Sequence, residues 1–287
     1  MYEAIKWNIW KSRLLLFFAL IFVSVVAYVF SVVYRGSVFV PLAFIIALAM
    51  AIGSYYSCDK IVLMSMQARV ADREEFPHFV NSVEGLAIAA GLPTPRAYVV
   101  DDPAPNAFAT GRDPAHAIIC VTTGLLDMMN RTELEGVIGH EMSHIKNYDI
   151  RFMTVVAVLV GFIALLGDWF RWGGRIRDND RNSGALIIVG LIFAILAPIA
   201  AAMIQAAISR KREFLADANG ALLTRYPDGL ANALRKIAQD PHRLQSANKA
   251  TAHMFIANPL KDYGGKVNSL FSTHPSVDER IMRLEAM

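Results

Sequence analysis

Only two cysteines, Cys58 and Cys120, stand in this 287-residue chain. Two cysteines cannot build a disulfide framework, and no CxxC pair is present to hold a metal through sulfur, so both read as buried free thiols. Excess charge of one sign is also lacking. The 28 basic and 25 acidic side chains leave a formal net charge of +3, and the basic residues stand in small groups beside apolar stretches. That excludes the broad basic face that binds nucleic acid. No internal repeat and no low-complexity tract occurs, so the chain is not a repeat array.

Charge is missing altogether from four long stretches: Leu14–Tyr34, Gly36–Cys58, Phe152–Gly167 and Asn182–Ser209. With 55% hydrophobic residues and a mean hydropathy of +0.38, the chain is too apolar for an ordinary soluble domain. Each stretch approaches or exceeds the roughly 18–20 residues that cross a bilayer. The first lacks a small-residue cleavage pattern and a second follows almost at once, so it reads as an anchor, not a removed signal peptide. These features predict an α+β membrane protein, mainly helical, with four transmembrane helices and one soluble domain. Residues 14–58 form a first transmembrane hairpin and 152–209 a second. Residues 59–151 and 210–287 are two parts of one soluble unit.

Flanking charge sets the orientation. Eleven basic residues (Lys6, Lys11, Arg13, Lys60, Arg69, Arg73, Lys146, Arg151, Arg210, Lys211 and Arg212) fall on one side, against five (Arg35, Arg171, Arg175, Arg177 and Arg181) on the other. The positive-inside rule places the soluble parts in the cytoplasm, with the 171–181 loop dissenting.

What is present is His140-Glu141-Met142-Ser143-His144, an HExxH run. Thr132 followed by Glu135 predicts a capping box and a helix start. On a helix, positions i and i+4 share a face, so His140 and His144 can reach one metal ion. Imidazole nitrogens suit zinc, and a catalytic zinc takes about three protein ligands. Glu141, beside the first histidine, can accept a proton from the attacking water without being a ligand. After the last apolar stretch comes Glu213-Phe-Leu-Ala-Asp217, again an i, i+4 pair. Glu213 is a proper third ligand, and Asp217 one turn later can hold a ligand imidazole by its other nitrogen. The longer HExxHxxGxxH pattern is absent, because Asn147 and Ile150 stand where it needs Gly and His. The two motifs must meet at one metal, and an even number of spans between them returns the chain to the same side. Charges at Arg131, Glu133, Glu135, Lys146 and Asp149 keep HExxH out of the hydrocarbon core, against an intramembrane protease.

The remaining pattern is coarser. A charged connector, 59–75, continues the second span as a helix. A helix from Pro77 to Ala90 stops at Gly91 and Pro93. Three β-type runs, 97–101, 106–111 and 117–122, predict a small sheet ahead of the motif helix, whose edge strand can pair with an extended peptide. Helices follow at 228–239 and 246–256, then a hinge at 262–265. A last helix opens at Ser272-Thr-His-Pro-Ser276 and carries Arg280. His274 can donate a hydrogen bond to a developing oxyanion.

Asn106-Ala-Phe-Ala-Thr-Gly111, HExxH, Glu213–Asp217 and Ser272-Thr-His-Pro275 with Arg280 resemble the HtpX family of membrane zinc metalloproteases over nearly the whole chain. The resemblance implies an endopeptidase of the bacterial inner membrane with a cytosolic active site and one zinc per chain. It implies a stress-response role in quality control of misfolded membrane proteins. Carried over by residue, His140, His144 and Glu213 bind zinc, Glu141 is the base, Asp217 supports a ligand, the Asn106 strand lines the substrate cleft, and His274 and Arg280 flank the reacting carbonyl. The implied partners are polypeptide substrates and the lipid bilayer, and a homo-oligomer is compatible with the sequence. A catalytically silent zinc-binding membrane scaffold is the competing reading. It would keep the ligands but has no need of Glu141.

Overall fold

A computed structural model describes residues 6–18, 59–157, 210–244, 251–257 and 275–287, together with positions 21, 24, 45, 53, 56, 57, 159 and 160. Among the described residues no helix is long and apolar enough to cross a membrane. Most of the first two apolar stretches, half of Phe152–Gly167 and all of Asn182–Ser209 lie outside the described residues, as do His274, Cys58 and the 262–265 hinge.

The fold is mainly helical α+β around one small sheet. Its strands are β1 (Arg69–Val70), β2 (Arg96–Val100), β3 (Ala107–Thr110) and β4 (Ile118–Thr122), in the spatial order β1-β2-β4-β3. β2 and β4 run parallel, and the two outer pairs are antiparallel. There are helices α1 (Pro77–Ala90), α2 (Thr123–Met128), α3 (Arg131–Lys146), α4 (Arg210–Thr224), α5 (Pro227–Gln239) and α6 (Val277–Glu285), and residues 6–18, 59–65 and 149–157 are also helical. Alternation along β4 divides its side chains between two cores. Ile119 and Val121 join Leu134, Val137, Ile138 and Met142 of α3, while Cys120 faces Phe108, Met153 and Phe255. Burial pushes the Cys120 thiol well above its ordinary value and keeps it unreactive.

Helix α3 carries HExxH and is buried on nearly every face from Glu133 to Ile145. Its capping box lies two residues earlier than Thr132 and Glu135 predict. The Asn130 Oδ1 accepts from the Glu133 N–H at 3.0 Å, and the Glu133 carboxylate accepts from the Asn130 N–H at 2.9 Å. Thr132 instead donates its hydroxyl to Asn130 Oδ1. Lys236 of α5 closes on the same Glu133 at 2.7 Å, which pairs the buried carboxylate.

Two other expectations change. The connector is helical only over 59–65, and then β1 forms, a two-residue strand too short to show alternation. The 246–256 helix is not found in its described part. Residues Ala252–Met254 make a single 3₁₀ turn, and Phe255 then pairs with Phe108 of β3. Elsewhere the turn signals hold. Gly91 ends α1 at φ +67°, and Ser276 caps α6 through its hydroxyl.

Helices α4 and α5 cross α3 at glycines. A Cβ on Gly220 would lie 2.8 Å from the His140 backbone nitrogen, and one on Gly136 would lie 2.6 Å from that of Leu230. The backbones approach because no side chain separates them. Gly220→Ala is therefore predicted to push α4 away from α3 beside His140. It should destabilise the fold by about 1–3 kcal/mol and reduce bound metal. Thermal unfolding and metal analysis of the purified variant check this, and wild-type values for both would contradict it.

Candidate active site

The α3–α4 crossing brings the two sequence motifs together. His140, His144 and Glu213 each offer a ligand atom, and these atoms all lie within 4.8 Å of one another. His140 Nε2 and His144 Nε2 are 3.1 Å apart. Glu213 Oε2 lies 3.6 Å from the former and Oε1 3.7 Å from the latter. All three side chains are buried. The edges of a tetrahedron around an ion with ligands at about 2.0–2.1 Å run roughly 3.3 Å, so the triangle has nearly the size such an ion needs.

The other nitrogen of each imidazole is held by a carboxylate. His140 Nδ1 lies 2.9 Å from Asp217 Oδ1, and His144 Nδ1 lies 3.1 Å from Asp149 Oδ2. A carboxylate accepts, so each Nδ1 carries the proton and each Nε2 presents a lone pair to the centre. Two lone pairs at 3.1 Å with a carboxylate beside them repel unless a cation stands between them. Without a metal, a proton takes that place. Burial opposes a charged His144, but the hydrogen bond to Asp149 and the carboxylates of Glu213 and Glu141 outweigh it, and its pKa is pushed up to about 9. The donor set therefore fits a divalent metal of zinc's ligand preference.

Each carboxylate has its own guanidinium. Arg280 donates Nε to Asp217 Oδ2 at 2.9 Å and Nη2 to Oδ1 at 2.7 Å. Its Nη1 donates to the Ile256 carbonyl at 2.8 Å. Burial alone would push the Asp217 carboxyl up, but the Arg280 guanidinium and His140 hold it well below the usual range. On the other side, Arg212 Nε lies 3.0 Å from Asp149 Oδ1. Arg280 is thus fully buried behind His140, with Nη2 3.4 Å from His140 Nδ1. All its nitrogens engage protein groups on that side, whereas the resemblance has it flanking a reacting carbonyl.

Glu141 is buried beside the two histidines. Burial raises its pKa, and the nearby histidines pull the other way. Asn106 is also buried. Its amide donates to the Ala257 carbonyl at 3.2 Å, and the Ile256 N–H donates to the Ala107 carbonyl at 2.9 Å. The outer edge of β3, expected to be open to a peptide, is therefore lined by the chain's own residues 255–257. His274 lies outside the described residues.

Asp149 and Arg212 were not among the expected site residues. Asp149 follows His144 by five positions, past the helix end at Asn147. Tyr148 at φ +59° turns the chain back and sets Asp149 beneath the imidazole. An acid just after a helix stop, one turn beyond a histidine ligand, was the available signal.

Removing Arg280 strands a buried carboxylate. Arg280→Ala is predicted to cost about 3–5 kcal/mol in stability. Arg280→Lys, which keeps the charge but loses the two-pronged contact, should recover only part of that. Thermal unfolding of the three proteins checks the order, and an alanine variant as stable as wild type would contradict it.

The profile described as peptidase family M48 matches residues 74–287. A protein from Dictyoglomus turgidum described as a protease HtpX homolog is 49% identical over 291 residues, covering 100% of this chain and 94% of its own. A second protease HtpX homolog, from Thermococcus kodakarensis, is 52% identical over 237 residues, covering 80% of each. Among solved structures, the S. mikatae Ste24p crystal structure has a similar fold. Its TM-score is 0.52 at 19% identity, over 99% of this chain and 67% of that one. With a match over most of its length and relatives at about half identity, this chain belongs to peptidase family M48 and is a metalloprotease.

Proposed function

We propose that the chain is a membrane-anchored, zinc-dependent endopeptidase whose substrates are misfolded membrane proteins. The observation that carries the chemistry is the buried convergence of His140 Nε2, His144 Nε2 and the Glu213 carboxylate beside Glu141. When bound, zinc would polarise the peptide carbonyl and make water acidic enough to attack near neutral pH.

The chain's own residues do the rest. Asp217 and Asp149 fix both imidazoles with their Nε2 lone pairs inward. Glu141 accepts the proton of the attacking water and passes it to the leaving amine. Its burial supports that role, because a carboxyl with a raised pKa holds a proton between the two transfers. Asn106 and β3 line the substrate cleft in this reading. A peptide pairing with β3 would displace residues 255–257, since Ala107 O and the Asn106 amide already serve Ile256 and Ala257. His274 is proposed, from its motif alone, to donate to the oxyanion. Residues 14–58 and 152–209 are proposed as the two transmembrane hairpins. Residues 59–151 and 210–287 then form the cytoplasmic protease unit of an inner-membrane protein.

Two experiments test this reading. Glu141→Gln keeps the size of the side chain and loses the base. It should retain zinc and lose about 10²–10⁴-fold in cleavage of an unfolded protein. Zinc retained with wild-type cleavage would remove Glu141 from the mechanism, and a wild type inactive on several unfolded substrates would favour the scaffold. For topology, single cysteines at Ser183 and at exposed Glu74 are labelled with an impermeant reagent in intact cells. Ser183→Cys should react before permeabilisation and Glu74→Cys only after it. The opposite order would invert the proposed orientation.

A further inference from the structure

The residues between the N-terminus and the first apolar stretch have no part in the zinc chemistry described so far. Residues 6–18 are helical, yet two polar side chains on this helix are almost fully buried, Asn8 at 4% and Ser12 at 0% exposure. The Asn8 amide spends its two N–H groups on the far end of the motif helix, some 140 residues away in sequence. One goes to the Asn147 carbonyl at 3.0 Å and the other to Asp149 Oδ1 at 2.7 Å. The first satisfies a carbonyl of the last turn, which a helix leaves without an internal partner. The second lands on the carboxylate that holds His144. Asp149 thus divides its oxygens. Oδ1 takes Asn8 and Arg212, and Oδ2 is left for the imidazole. Lys11, one turn along, stacks over Phe152 at 5.7 Å, and Arg212 lies over the same ring at 5.9 Å. The helix, the motif-helix end and the start of α4 therefore meet at Asp149.

We infer that Asn8 is a positioning residue of the metal site, so that the N-terminal helix is a working part of that site and not only a tether. This rests on the reading that His140, His144 and Glu213 hold a divalent metal. Without the Asn8 donor, Oδ1 keeps Arg212 alone, the carboxylate is held less firmly against rotation about its Cβ–Cγ bond, and the Oδ2–Nδ1 contact that orients His144 loosens. Loss of an outer hydrogen-bond partner typically weakens metal affinity by about 10–100-fold. Asn8 acts one contact further out, so about 3–10-fold is expected.

The test uses the full chain purified in detergent, with zinc affinity read by competition against a chromophoric chelator and ligand orientation read from the visible spectrum of the cobalt(II)-loaded protein. Asn8→Ala should weaken zinc binding by that factor and shift the cobalt bands. Asn8→Asp, which has the same size but sets a second carboxylate against Asp149, should weaken it more. Ser12→Ala, buried on the same helix, loses only the hydroxyl's bond to the Asn8 backbone carbonyl at 2.8 Å. The Asn8 amide keeps its contacts to Asn147 and Asp149, so this variant should match wild type. In an Asp149→Asn background the loss from Asn8→Ala should largely vanish, because both changes break the same chain of contacts. Wild-type affinity and spectrum in both Asn8 variants would overturn the inference. So would an undiminished loss in the Asp149→Asn background, or an equal loss in Ser12→Ala, since each would mean helix packing and not positioning. A wild-type protein that binds no zinc would instead overturn the metal reading on which the inference stands.

Discussion

Three electron-rich atoms pointed at one another inside a protein are unstable unless a cation joins them, and much of this structure serves to hold them there. Two imidazole nitrogens 3.1 Å apart, with a carboxylate 3.6–3.7 Å from each, would be pushed apart by their own lone pairs. The fold resists that from behind. Asp217 and Asp149 fix the rings, Arg280 and Arg212 balance those acids, and the layers beyond fix the arginines. The charges alternate outward from the centre, so Asp217 and Asp149 each sit between an imidazole and a guanidinium, and such pairing is the condition for tolerating ionised groups in a protein interior.

Backbone packing supplies the distance. A helix crossing with ordinary side chains at the contact leaves 8–10 Å between axes. Gly220 against Gly139 and His140 lets α4 come in close enough for Glu213 to complete the ligand triangle, and Gly136 against Leu230 does the same for α5. The arrangement is also tied to the sheet. Arg280 reaches from Asp217 to the Ile256 carbonyl, and Ile256 reaches from there to Ala107 of β3. The strand proposed to receive a peptide is thus linked through Ile256 and Arg280 to Asp217, the group that orients His140. A change at that edge has a direct physical route to the metal ligand.

Much of the site was legible because its chemistry is periodic. The i, i+4 spacing of His140 with His144 and of Glu213 with Asp217 follows directly from helix geometry, and α1, α5 and the cap of α6 follow from local Pro, Gly and Ser signals. Partners that depend on a tertiary approach were not legible. Nothing near Asn8 announces a metal site 140 residues on, and Asp149 is placed by a left-handed turn at Tyr148 that no glycine marks. The capping box slid by two residues because Asn130 outcompetes Thr132 as a cap, the same asparagine accepting from both Glu133 and Thr132. The pattern over 246–256 predicts a helix, but in its described part, 251–256, pairing with β3 overrides that local preference.

The central claim is that His140, His144 and Glu213 together hold one zinc ion. X-ray absorption at the zinc edge, with metal content measured on the same samples, tests it most directly in wild type and Glu213→Ala. The account predicts one zinc per chain in the wild type, with two imidazoles and oxygen donors around it, and markedly less zinc in Glu213→Ala. Full stoichiometric zinc with an unchanged spectrum in Glu213→Ala would contradict it.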